Sequence, residues 1–230
     1  MSSSKTKGPQ EMTDDRFTLF AYWRTSAGYR VRVAFALKGL KPQEKIVNVD
    51  AGEHRSAEFL KINPLGAIPA LIDGDGDPIT QSLAILEYLE EIHPEPPLLP
   101  ADPRGRARVR SLAAMAAADT HPLITPRIRK YLTDAGFDAA AWKAWQTHWF
   151  TTGLQAIEAR LSAETATGRY CHGDQVTIAD ICLASIPAVM QVFDIKVPNI
   201  PTVDRIVAAL NELPEFANAD PYRQVGAPSR

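Results

Sequence analysis

The sequence predicts two domains of different class: an α+β domain built on a mixed sheet over residues 16–93, and an all-α domain over residues 104–230. Three observations carry that prediction. Short apolar runs alternate with amphipathic helical stretches as far as Ile92, four prolines interrupt His93 to Asp102, and every periodic segment beyond that break has helical spacing. At 230 residues, 45% hydrophobic and 23% charged, the chain is long enough for one large domain or two small ones with cores of their own.

Residues 1–15 are polar and hold no apolar run, so they read as a disordered lead. Phe17 to Tyr22 (FTLFAY) is short and aromatic-rich, as a buried strand is. From Ala27, residues Val31, Ala34, Phe35 and Lys38 recur at helical spacing, with Gly39 and Pro42 as stop signals. Glu44 to Val49 alternates as a second strand, and Ser56 to Ile62 forms a short helix that Asn63-Pro64 breaks. Ala67 to Ile72 and Pro78 to Thr80 flank Asp73-Gly74-Asp75-Gly76-Asp77, the pattern of a β-hairpin. Ser82 to Ile92 places Ile85, Leu86 and Leu89 on one helix face. The order β-α-β-α-β-β-α puts one parallel βαβ unit beside an antiparallel hairpin, which is a thioredoxin-like arrangement.

Residues 94–103 form the linker, because prolines there cannot continue a helix. Beyond it, Arg104–Asp119, Ala139–Leu161, Ile178–Met190 and Val203–Leu213 read as helices. Val176-Thr177-Ile178-Ala179-Asp180 carries a capping box in which the Asp180 carboxylate reaches back to the Thr177 amide, so Asp180 is a folding residue.

A formal net charge of -2 offers no basic face for nucleic acid. No segment approaches the ~20 apolar residues needed to span a bilayer. Cys171 and Cys182 provide neither a disulfide framework nor a zinc cluster, which suits a reducing cytoplasm. Asp73, Asp75 and Asp77 have the spacing of calcium ligands, but Pro78 and Ala84 fall where that loop needs Gly and Glu, and no metal is expected. Trp142, Trp145 and Trp149 are expected in the core, and Arg104, Arg106, Arg108 and Arg110 are spread around a helix. A small-molecule partner is what remains.

The loop Trp23 to Tyr29 joins the first strand to the first helix and contains no cysteine. If this loop serves thiol chemistry, the sulfur comes from a bound cofactor, with Thr25 or Ser26 holding a thiolate at the helix N-terminus; either hydroxyl could instead only cap the helix. Ile68-Pro69 enters a strand where a cis bond would turn an unpaired backbone edge to a ligand. Gln81-Ser82 opens the next helix, as a cap or as the seat of a ligand carboxylate. His121, beside Arg127, either lines a pocket or is a satisfied structural residue.

Together these segments resemble the glutathione transferases, and the zeta class most closely. Trp23-Arg24-Thr25-Ser26-Ala27-Gly28-Tyr29-Arg30-Val31-Arg32-Val33-Ala34 and Leu37-Lys38-Gly39 follow the zeta-class loop and first helix. The likeness continues through Asn63-Pro64, Ile68-Pro69, Gln81-Ser82, Glu87-Tyr88-Leu89-Glu90 and Leu98-Leu99-Pro100, from Phe17 to about Phe216. The resemblance implies the two-domain architecture of cytosolic glutathione transferases, a homodimer, and glutathione as cofactor. It implies that the Ile68 backbone pairs with the cysteinyl part of glutathione ahead of Pro69, that Gln81 and Ser82 take the γ-glutamyl carboxylate, and that Thr25 or Ser26 activates the sulfur. Zeta-class enzymes isomerise maleylacetoacetate or maleylpyruvate by thiolate addition, rotation and elimination; Arg24 is the candidate to steady the enolate.

The chain departs from that pattern where Ala27 replaces the loop cysteine and where Val192 stands in place of an arginine that faces substrate carboxylate. Ile124 and Thr125 likewise replace two asparagines. These changes point toward a less charged electrophile, with a non-catalytic glutathione- or partner-binding module as the other alternative.

Overall fold

Phe17, Leu19 and Ala21 recur at every second position and are completely buried, which makes the first strand the centre of the sheet. In a computed structural model that describes residues 14–229, the strands are β1 (Asp14–Ala21), β2 (Pro42–Ile46), β3 (Ala70–Asp73) and β4 (Ile79–Thr80). They lie in the order β2-β1-β3-β4, with β1 parallel to β2 and antiparallel to β3, and β3 antiparallel to β4. The helices of this half are α1 (Ser26–Leu37), α2 (Ala57–Ile62) and α3 (Ser82–Ile92). This is the thioredoxin-like arrangement of one βαβ unit and one hairpin.

The helical half holds α4 (Pro103–Ala114), α5 (Pro126–Asp134), α6 (Ala139–Ala163), α7 (Ile178–Met190), α8 (Pro201–Asn211) and α9 (Pro214–Ala217). Helix α7 is buried along nearly its whole length and packs on both α1 and α4. One apolar core therefore runs from Phe17 and Val31 through Leu86 and Leu112 to Ile181 and Ile206. A smaller cluster of Phe20, Val47, Phe59 and Ala70 fills the other face of the sheet under α2.

The structure differs from expectation at several boundaries. Strand β1 opens at Asp14, inside the stretch 1–15 expected to be disordered; the rest of that stretch, residues 1–13, lies outside the described residues. Strand β2 stops at Ile46 because the Asn48 side chain accepts from the amides of Asp50 and Ala51, closing a turn. Helix α5 has no buried residue; its apolar stripe is only Ile128, Tyr131 and Leu132, too short for the sequence to announce a helix there. After α4 the backbone forms a π-helical turn over Met115–Thr120 and a 3₁₀ turn over His121–Ile124 in place of a helix ending at Asp119. The Thr120 hydroxyl donates to the Met115 carbonyl at 2.7 Å, taking up an acceptor of the widened turn.

Three declined signals have structural partners. Asp73 accepts from Arg16 and Tyr88 at the hairpin. Arg108 and Arg110 pair with Glu164 and Glu87. Trp142 is 8% exposed, and Trp145 donates to the Leu123 carbonyl at 2.7 Å.

Candidate active site

Helix α1 starts at Thr25, whose extended backbone (φ -99°, ψ 127°) lets its hydroxyl accept from the Gly28 amide at 3.2 Å. The same hydroxyl donates to the Tyr22 carbonyl at 3.1 Å. Glycine is needed at position 28, since a Cβ there would sit 2.7 Å from Thr25 Oγ1. The first turn of α1 has no acidic residue, so its positive end is not neutralised by the chain itself.

Two further segments face this helix end across a cleft of about 550 Å³. The first is the loop from Asn63 to Pro69. Asn63 is 5% exposed and fixes it, donating to the Ala67 carbonyl at 2.6 Å and accepting from the Leu65 amide at 3.1 Å. Gly66 turns there at φ +61°, and a Cβ would come within 2.9 Å of the His54 carbonyl. The Ile68-Pro69 peptide is cis, and the Ile68 amide and carbonyl make no hydrogen bond among the described residues. The second segment is Gln81-Ser82. Gln81 has φ +71°, a conformation an L side chain adopts at a cost of about 1–3 kcal/mol and one that clusters at functional sites. Helix α3 begins immediately after it, again with no acidic residue in its first turn.

The π turn supplies the opposite wall, because the widened backbone brings Ala117, Ala118 and His121 to the cleft beside Thr125 and Arg127. Burial, then Arg30, then Arg127 push the His121 pKa down to about 3, so its ring is neutral at physiological pH. His54 is lowered as well, by burial and then by Arg55. Arg30, Arg55 and Arg127 line the cleft, and among the described residues no aspartate or glutamate does. The cavity is thus a cationic cleft with two open helix N-termini and one unpaired backbone edge.

The cleft brings together Thr25, Ile68, Pro69, Gln81, Ser82, His121 and Arg127 from the expected set. Three other candidates lie off its wall. Ser26 is fully buried under α1 with no partner for its hydroxyl among the described residues, which leaves Thr25 as the hydroxyl facing the cleft. Arg24 pairs with Asp50 and lies over the Phe193 ring, away from the residues that line the cleft. Val192 is in the 3₁₀ turn Gln191–Phe193 and is not a lining residue. Sequence reading missed Arg30, His54 and Arg55. Arg30 stands in the loop-and-helix motif itself, but only the fold turns it inward.

Residues 15–91 match the family model described as the N-terminal domain of glutathione S-transferase. Over 212 residues the chain is 40% identical to a probable maleylacetoacetate isomerase of Vibrio cholerae, covering 91% of this chain and 97% of that protein. It is 39% identical to a maleylpyruvate isomerase of a Ralstonia species, covering 90% and 97%. Among solved structures, a maleylacetoacetate isomerase from Methylobacterium extorquens AM1, with malonate and glutathione bound, superimposes with a TM-score of 0.90. The two are 47% identical over 92% of this chain and 100% of that one.

Proposed function

Because the chain belongs to the glutathione S-transferase family, in its zeta class, we propose that it is a glutathione-dependent cis-trans isomerase of a maleyl-type diacid such as maleylacetoacetate or maleylpyruvate. The observation that carries this reading is the charge of the cleft, lined by Arg30, Arg55 and Arg127 with no carboxylate side chain among the described residues. A cofactor with two carboxylates and a diacid acceptor both favour such a field. That favours the diacid over the neutral electrophile suggested by Val192, and the malonate held with glutathione in the Methylobacterium protein is itself a diacid.

The residues present fit glutathione: an unpaired Ile68 backbone edge, a carboxylate seat at Gln81 and Ser82, and a helix N-terminus at Thr25. Bound glutathione supplies thiol chemistry at a double bond, namely addition, rotation about the resulting single bond, and elimination. The first amides of α1, joined by the Thr25 hydroxyl once its proton turns from the Tyr22 carbonyl to the sulfur, hold negative charge at the sulfur position. Neutral His121 donates a hydrogen bond to a developing oxyanion, and Arg127 attracts the acceptor's carboxylate. These two take the role the sequence suggested for Arg24.

Family membership also supports a homodimer in the cytoplasm, with both cysteines free and buried. Among the described residues no helix is long and apolar enough to cross a membrane.

The test is to follow the cis-to-trans change of maleylacetoacetate or maleylpyruvate spectroscopically, with and without glutathione. Turnover is expected only with glutathione, falling about 100-fold in Thr25→Ala and recovering in Thr25→Ser. A protein that binds glutathione yet turns over neither diacid would mean the cleft serves another electrophile.

A further inference from the structure

Arg30 is 2% exposed, among the most deeply buried side chains of the molecule, and it has no carboxylate partner among the described residues. Its Nε donates to the Ser82 hydroxyl at 2.9 Å and one Nη to the Ser185 hydroxyl at 3.0 Å. Neighbouring buried or half-buried cations have anions: Arg32 of the same helix has Glu44, and Lys38, just past the helix end, has Glu90 at 2.6 Å. A buried guanidinium held by two neutral hydroxyls is a charge missing its partner. Burial draws its pKa down from the usual arginine value, with only the Cys182 thiol acting the other way.

Its surroundings say where that partner sits. Arg30 lines the cleft together with Ser82, Leu83 and Ala84, the first turn of α3. That turn presents amides without intrahelical acceptors and contains no acidic side chain. The Ser82 oxygen already accepts from Arg30, so its proton is free to donate outward. Ser185 is spoken for differently, its own proton going to the Cys182 carbonyl at 2.7 Å. Ser82 is the polar link between the buried cation and the cleft.

We propose that Arg30 is a positioning residue for the γ-glutamyl α-carboxylate of glutathione: it orients the Ser82 hydroxyl as a donor and supplies the buried countercharge to a carboxylate seated on the first turn of α3. This rests on the glutathione reading above and assigns the charge that reading leaves unplaced. An apo protein then carries an uncompensated buried cation that the cofactor neutralises on binding, so affinity for glutathione depends on its α-carboxylate more than an exposed contact would give.

Calorimetric titration of the full chain tests this with two ligands, glutathione and the 4-aminobutanoyl-cysteinyl-glycine analogue that lacks only the α-carboxylate. Arg30→Met, of similar length and without the charge, is expected to weaken glutathione about 10- to 100-fold while changing the analogue less than about threefold. Arg30→Lys restores part of the loss. In a Ser82→Ala background the effect of Arg30→Met shrinks, because the link has gone. The thermal midpoint of apo Arg30→Met stays level or rises, since an unpaired buried charge has been removed. Equal weakening of both ligands, or of neither, overturns the proposal. Should Arg30→Met fail to fold, the comparison of Arg30→Lys with Ser82→Ala decides on the same two ligands. Failure of the unaltered protein to bind glutathione at all would instead remove the functional reading itself.

Discussion

The N-termini of α7 and α3 are built from the same kind of parts and finished in opposite ways. At α7, Asp180 is completely buried and accepts from the Cys171 amide at 2.7 Å, the Thr177 amide at 2.8 Å and the Thr177 hydroxyl at 2.8 Å. Burial raises its pKa, and those hydrogen bonds pull it back. At α3 there is no such anion; the buried charge behind it is Arg30, a cation bonded only to hydroxyls. One helix end is saturated by the chain and therefore structural. The other is left open by the chain, and an anion from outside completes it.

Removing the anion that finishes α7 has the largest expected effect. Asp180→Ala strands the amides of Cys171 and Thr177, and denaturant unfolding should find a loss of about 3 kcal/mol. A loss below about 1 kcal/mol would break the contrast between the two helix ends.

The next effect comes from the burial of His121, reinforced by the cationic wall of the cleft; its folded pKa lies near 3, well below its unfolded value. As pH falls below about 6.5 the unfolded chain binds this proton and the folded chain does not. Stability is therefore lost toward acid, by up to about 1.4 kcal/mol per pH unit for a single such group. His121→Gln should flatten that part of the stability curve between about pH 6.5 and 4. An unchanged slope would show that the ring is not held neutral by its burial beside Arg30 and Arg127.

The smallest effect belongs to a cation the chain has already partnered at the surface. Arg24 pairs with Asp50, whose side chain is 51% exposed, so Arg24→Ala should cost less than about 1 kcal/mol. Turnover within about threefold of the unaltered protein is expected too, because Arg24 is off the cleft wall. A large loss of turnover would return the oxyanion role to Arg24.

The fold was largely legible in the sequence because local rules and tertiary packing agree there. The alternation in FTLFAY, the DGDGD turn and the Thr177–Asp180 cap each act over a few residues, and each has its expected counterpart. Thr25, Ile68-Pro69 and Gln81-Ser82, singled out in the sequence, all line the one cleft. What was not legible depended on distant neighbours. Arg30 and Arg32 stand two apart in one helix and are alike in sequence, yet one projects toward Ser185, 155 residues away, and the other meets Glu44.

The sequence by itself determined the order of elements in the thioredoxin-like half, the helical character of the second half and the identity of the residues near the first helix. Only the tertiary structure decided which of them share the cleft: that Thr25 faces it and Ser26 does not, that Arg24 and Val192 lie away from it, and that a π turn brings His121 in. The physical reason is that periodicity fixes which side of an element a residue occupies, whereas the charge and burial of that side are set by whatever the rest of the chain packs against it.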